Sequence, residues 1–169
     1  MSGGFEGLKA LIVEDNQHMR SLLRALLNSA GITDVSEASH GGAAIEILRR
    51  RRADLVLTDL AMKPMDGLEF TRFVRNDPLS PNPFVPIIMI TGHTEKHRVE
   101  AARDAGVTEL LAKPVTAGNL FARIAEIVER PRAFVRTDSY FGPDRRRHRA
   151  EGYSGPWRRM EDFEDMQVR

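Results

Sequence analysis

The chain has 169 residues, enough for one domain of ordinary size and a short addition. Hydrophobic residues make up 41%, which supports a real core, and the absence of cysteine excludes disulfides, thiolate catalysis and cysteine-based zinc sites. The formal net charge is +1, so the molecule as a whole has no strong bias toward nucleic acid or acidic surfaces. The charge is uneven along the chain. Residues 1–129 carry 15 Lys+Arg against 17 Asp+Glu, whereas residues 130–169 carry 10 Arg, no Lys and 7 acids. No apolar stretch approaches the ~20 residues of a membrane span. The start, Met1–Gly7, lacks a charged run followed by an apolar one, so no secretory leader is expected and a cytoplasmic location is the default.

In chain order, five short runs read as strands: Leu8–Val13, Asp34–Glu37, Asp54–Thr58, Val85–Ile90 and Glu109–Ala112. Amphipathic segments lie between and after them. In Met19–Leu27, apolar Met19, Leu22, Leu23, Leu26 and Leu27 fall at helical spacing, and Ala43–Leu48, Leu68–Val74, Val99–Ala105 and Leu120–Val128 behave similarly. Strand alternating with helix five times predicts a doubly wound α/β fold with a parallel sheet covered on both faces. Most strands are continuously apolar, as two covered faces require. The second, Asp34-Val35-Ser36-Glu37, is polar and reads as an edge. Gly31 and Gly106 are placed to end helices one and four. Three prolines within Pro78–Pro83 make a stiff loop before strand four. The compact domain is expected to end near Glu129-Arg130-Pro131, with a largely irregular extension after it.

In such a sheet the chemistry sits beyond the carboxyl ends of the strands. Strand one ends at Glu14-Asp15, strand three at Asp59, strand four at Thr91 and strand five at Lys113. Three carboxylates, a hydroxyl and an ammonium therefore converge on one edge. Packed carboxylates repel and call for a hard divalent cation with oxygen ligands, for which Mg²⁺ is suited. Lys and Thr add donors for a tetrahedral oxyanion. The set describes in-line phosphoryl transfer by positioning and charge, with a carboxylate as nucleophile.

These residues, with Met62 through Gly67 (Met-Lys-Pro-Met-Asp-Gly), Thr91-Gly92 and Lys113-Pro114, resemble the receiver domain of bacterial two-component response regulators, chemotaxis regulators among them. The resemblance covers about residues 7–129. Each motif alone is weak, but five in register are specific. The resemblance implies the strand order 2-1-3-4-5 of the flavodoxin-like fold. It makes Asp59 the phosphoacceptor, with Mg²⁺ held by Glu14, Asp15, Asp59 and the backbone carbonyl of Ala61. Thr91 would hydrogen-bond the phosphoryl group, Lys113 would ion-pair with it, and the Lys113-Pro114 bond would be cis. A sensor histidine kinase or phosphotransfer protein would supply the phosphoryl group, and a downstream protein would read the result. Homodimerisation through the fourth and fifth helices and strands is open to such a domain. Self-phosphorylation and self-dephosphorylation without separate substrate turnover make it a signalling domain rather than an enzyme.

Two departures from the family pattern stand out. Lys63 occupies the place, four residues after the acceptor, where the family usually has Pro, and Pro64 follows it. Leu110 occupies the place, three before the conserved Lys, that often holds Tyr or Phe, so a switch of Thr91 with Leu110 would move no ring. A Mg²⁺-dependent phosphatase, which also uses a nucleophilic Asp, is disfavoured because Ala61 stands where its second Asp belongs. His93 and His97 lack the Glu spacing of a metalloprotease motif and read as the polar start of helix four. Arg49–Arg52 reads as a solvated helix terminus, where cations suit the dipole.

The extension, residues 130–169, is poor in aliphatics. It carries a repeat: Tyr140-Phe141-Gly142-Pro143-Asp144-Arg145-Arg146 matches Tyr153-Ser154-Gly155-Pro156-Trp157-Arg158-Arg159, 13 residues apart, as Tyr-x-Gly-Pro-x-Arg-Arg. Each unit offers an aromatic ring, a Gly-Pro turn and paired guanidinium groups, the residue types that dominate protein interfaces. Protein docking ranks first. Nucleic-acid binding by the Arg-rich tail is the alternative, diluted by Glu161, Asp162, Glu164 and Asp165. Ala133-Phe134-Val135 is placed to lie back on the receiver.

Overall fold

The computed structural model describes residues 4–145. Its centre is a parallel sheet of β1 (Lys9–Val13), β2 (Asp34–Ala38), β3 (Leu55–Asp59), β4 (Ile87–Thr91) and β5 (Glu109–Ala112). They lie in the order β2-β1-β3-β4-β5, as the resemblance implied. Ala10 of β1 faces both Val35 of β2 and Leu55 of β3, and Asp59 of β3 pairs with Ile90 of β4. The polar β2 is an edge strand, so its half-exposed residues carry no burial penalty.

Five helices cross between the strands: α1 (Gln17–Ser29), α2 (Gly41–Arg50), α3 (Gly67–Asn76), α4 (Lys96–Ala105) and α5 (Ala117–Glu129). Strand side chains alternate between faces, so β1 divides its residues between two cores. Ala10 and Ile12 join Leu23 and Leu27 of α1 and Leu120 and Ile124 of α5 on one face. Leu11 and Val13 join Ala44 and Leu48 of α2 and Phe70 and Val74 of α3 on the other. A smaller cluster, Leu60, Met89, Ala102 and Val107, seats α4, with Leu110 packed at its margin.

Side chains start the helices by accepting orphan backbone donors. Asn16 caps α1 through Met19 N–H, His40 Nδ1 caps α2 through Ala43 N–H, Asp66 caps α3 and Thr116 caps α5. Gly106 closes α4 at φ 103°, a left-handed turn that a Cβ would strain. Gly31 follows α1 at φ 90°. Arg49 pairs with Glu46, Arg51 with Asp34 at 2.8 Å and Arg52 with Asp54 at 3.6 Å, so three of the four consecutive arginines are ordinary surface partners.

The compact body does not end at residue 129. After α5 the chain forms an antiparallel hairpin, β6 (Phe134–Arg136) with β7 (Phe141–Pro143), so this part of the extension is regular rather than irregular. Phe134 and Phe141 meet Phe84 with ring centroids 5.3 Å away in each case. Arg132 reaches buried Glu109 at 2.7 Å. Arg75 of α3, only 2% exposed, gives its guanidinium to the carbonyls of Gly106, Pro83 and Val85 and lies 4.9 Å over the Phe134 ring. Burial pulls its pKa down to about 9, which still leaves it charged at neutral pH. The expectation that Ala133-Phe134-Val135 lies back on the domain agrees with these contacts.

The first repeat unit explains its own residue choices. Tyr140 donates its hydroxyl to the Pro143 carbonyl at 2.7 Å. Gly142 passes so close that a Cβ would meet the Tyr140 hydroxyl and Gly106 Cα. Arg145 stacks 4.4 Å over the Tyr140 ring. The second unit lies outside the described residues.

Candidate functional site

Only two residues, Glu14 and Asp15, separate the end of β1 from Asn16, the cap of α1. That short connection holds both acids at the lip of the sheet. Asp59, the last residue of the adjacent β3, stands beside them. One carboxylate oxygen from each of Glu14, Asp15 and Asp59 lies within 4.8 Å of the others. Glu14 and Asp59 are buried, at 2% and 6% exposure, while Asp15 opens to solvent.

Fixed dipoles hold the buried pair. Asn16 N–H donates to Glu14 Oε1 at 3.0 Å, and Leu60 N–H donates to Asp59 Oδ1 at 3.0 Å. Lys113 Nζ lies 3.2 Å from the same Asp59 oxygen. These partners do not neutralise the cluster. Burial pushes the Glu14 carboxyl up to about 7, against the Asn16 hydrogen bond, with the charge of Asp59 and a hydrogen bond to Asp15 adding to the rise. Such a group takes either a proton or a cation at neutral pH. Three oxygen donors, one facing solvent, suit a hard divalent cation that keeps part of its water shell.

Thr91 ends β4, next to Asp59 in the sheet, but its hydroxyl is engaged elsewhere. It accepts from His93 N–H at 2.9 Å and donates to His93 O at 3.3 Å. Leu110 is half-buried against the cluster of Leu60, Met89 and Val107, and Leu60 directly follows Asp59 in the chain. Ala61 is exposed directly after Leu60. The β3–α3 loop is pinned by Gly67, whose N–H donates to Leu60 O at 2.9 Å and whose missing Cβ would collide with the Asp59 carbonyl. Both Lys63-Pro64 and Lys113-Pro114 are cis, the second as the resemblance implied. His93 lies in the loop ahead of α4, not on the helix with His97.

One residue the sequence reading passed over reaches this site. Arg20 of α1 donates Nη1 to Glu14 O at 2.7 Å and to Asp15 O at 3.2 Å. A sequence signal exists: α1 has no acid in its first turn and carries an Arg there, where the helix dipole disfavours a cation.

A cavity of about 180 Å³, lined by Phe84, Ile127, Ala133 and Phe134 among others, lies at the hairpin and not at Asp59. No helix among the described residues is long and apolar enough to cross a membrane.

Known proteins share this fold. The model of the response regulator receiver domain matches residues 10–125. The chemotaxis protein CheY of Pseudomonas aeruginosa is 34% identical over 123 residues, 73% of this chain and 98% of the relative. Among solved structures, the chemotaxis protein CheY4 of Vibrio cholerae superposes with a TM-score of 0.66 at 29% identity, covering 71% of this chain and 98% of that one. The receiver domain of a sensor histidine kinase from Pseudomonas aeruginosa, solved with a magnesium ion coordinated in its active-site cleft, gives 0.65 at 29% identity over 73% of this chain and 98% of that one. The family match begins on β1 and ends within α5, spanning the whole doubly wound sheet and stopping before the hairpin, and the chain belongs to the response regulator receiver family of two-component signalling.

Proposed function

We propose that the chain accepts a phosphoryl group on Asp59 in a Mg²⁺-dependent reaction and signals through a change of conformation read by a partner protein. The observation that carries this reading is the set of Glu14, Asp15 and Asp59 oxygens within 4.8 Å, with Lys113 at 3.2 Å from Asp59. The donor is a phosphohistidine on a sensor kinase or phosphotransfer protein. An Asp59 oxygen attacks phosphorus in line, an O–P bond forms and the N–P bond breaks. The imidazole nitrogen leaves with the electron pair and is protonated. Glu14, Asp15, Asp59 and the Ala61 carbonyl would hold Mg²⁺, which when bound would supply positive charge to the phosphoryl oxygens.

The remaining steps belong to the chain's own groups. Lys113 stabilises the new charge at the end of β5. Thr91 turns its hydroxyl from the His93 carbonyl toward a phosphoryl oxygen, and that rotation is the first movement of the switch. Leu110 then repacks in the cluster that seats α4. No ring takes part.

The described part of the extension favours a protein reading over a nucleic-acid one. Arg132 is engaged by Glu109, Arg145 by Asp104, and Arg136 lies 4.2 Å over the Phe141 ring, so these guanidinium groups are already committed within the molecule. Incubation with acetyl phosphate and Mg²⁺, followed by intact-mass measurement, is expected to add one phosphoryl group to the full chain and none to Asp59→Asn. Equal labelling of the variant refutes Asp59 as acceptor.

A further inference from the structure

The loop that carries Glu14 and Asp15 is held from outside the acidic pocket. Arg20 Nη1 bridges the carbonyl oxygens of both residues, at 2.7 and 3.2 Å. This bifurcated contact from one nitrogen holds both peptide oxygens toward α1. With Asn16 N–H on Glu14 Oε1 and Glu14 N–H on Ala38 O at 3.0 Å, it leaves the two residues little freedom. The guanidinium is itself positioned. Its Nε lies 3.9 Å from Glu37 Oε1 on β2. Glu37 in turn receives Arg24 Nε at 2.9 Å and Arg24 Nη2 at 2.8 Å, and Arg24 also holds the Val35 carbonyl. A line of contacts therefore runs from the edge strand through Arg24, Glu37 and Arg20 to the acids.

We infer that Arg20 is a positioning residue for the cation: its guanidinium fixes the Glu14–Asp15 peptides, and thereby the carboxylates, in the arrangement that binds the metal. This rests on the Mg²⁺ reading above. The inference opposes simple electrostatics, which makes it decidable. Arg20 is a positive charge beside a cation site, so as a bystander it weakens Mg²⁺ binding and its removal tightens it. As a positioning residue its removal loosens binding despite the lost repulsion. Groups that orient metal ligands typically contribute about 10- to 100-fold in affinity. Lysine separates the two ideas further, since it keeps the charge but has no second nitrogen to face Glu37 while the first holds both carbonyls.

The test is calorimetric titration of the full chain with Mg²⁺ alone, for wild type, Arg20→Gln and Arg20→Lys, with unfolding midpoints in EDTA measured alongside. Arg20→Gln is expected to bind Mg²⁺ about tenfold more weakly, and Arg20→Lys several-fold more weakly. Tighter or unchanged binding by Arg20→Gln with an unchanged Arg20→Lys overturns the inference, as does a lowered unfolding midpoint with unaltered affinity. If Arg20→Gln does not fold, Arg20→Lys alone decides, because a bystander charge leaves its affinity at the wild-type value. Wild-type protein that fails to bind Mg²⁺ overturns the metal reading itself, a result distinct from equal binding by all three proteins.

Discussion

The two ends of one sheet handle buried charge in opposite ways. At the carboxyl ends of the strands, Glu14 and Asp59 are buried among like charges, and the Glu14 carboxyl is driven up to about 7. At the amino ends of β4 and β5, the equally buried Arg75 is given three backbone carbonyls, the Thr108 hydroxyl and an aromatic face. The first arrangement leaves an excess of buried negative charge that a cation can relieve. The second is complete, and ties α3, the loop before β4, the turn before β5 and the hairpin together. A charge left short of partners marks the place for chemistry, and a charge fully supplied marks structure.

That contrast is most easily broken at Arg75. Methionine there keeps much of the volume but removes the donors to Gly106, Pro83 and Val85. Each buried carbonyl left without a donor costs about 1–3 kcal/mol, so Arg75→Met is expected to lose about 4 kcal/mol in urea unfolding. Phosphoryl acceptance by the fraction still folded should be unchanged. A loss under about 1 kcal/mol would mean that water or a rearranged loop supplies those carbonyls as well as the guanidinium does.

Truncation gives a smaller effect at the same end. Ending the chain after residue 129 removes Val135, Tyr140 and Phe141 from buried positions and uncovers Phe84. The entropy recovered by not ordering the segment offsets part of that loss, leaving an expected net cost of about 2 kcal/mol. Ending after residue 145 keeps every described contact and should unfold at a higher midpoint than 1–129. Equal midpoints for 1–129 and 1–145 would show the hairpin to be a passenger on the receiver.

The acidic end was readable from sequence and the basic end was not, for a physical reason. Glu14-Asp15, Asp59, Thr91 and Lys113 each follow directly on an apolar run, so strand topology alone gathers them. The hairpin depends on contacts between segments far apart in the chain. Arg75 lies next to Val74 in an amphipathic helix, and nothing local distinguishes a buried arginine from a solvated one. Phe84 lies in a proline-rich loop whose rings pack only once residues 134 and 141 arrive. The aliphatic-poor composition after residue 130 pointed away from a folded element. The segment folds because it borrows a core from the domain instead of building one. Arg20 lies between these cases: its place in the first helical turn is visible, but its bond to two carbonyls is not.

The smallest effect, and the sharpest test of the deficit at the acidic end, is its response to pH without metal. Burial raises the Glu14 carboxyl from its ordinary value of 4.5 to about 7 in the folded chain. Between those values the folded state holds a proton that the unfolded state has released. By linkage the Mg²⁺-free protein therefore gains stability as pH falls from about 7 toward 4.5, and loses it as pH rises through 7, by about 1 kcal/mol per unit from this group. Glutamine at position 14 is permanently neutral and should flatten that slope between pH 5 and 7. Saturating Mg²⁺ should reverse the trend in the wild type, because the cation binds only the ionised carboxylate, and its affinity should fall about tenfold per unit below pH 7. Urea unfolding of wild type and Glu14→Gln at pH 5, 6, 7 and 8, with EDTA and with Mg²⁺, measures both slopes. Parallel curves for the two proteins in EDTA would mean that Glu14 is already relieved by the hydrogen bond from Asn16 and by Lys113. The acidic end would then be as complete as the basic one.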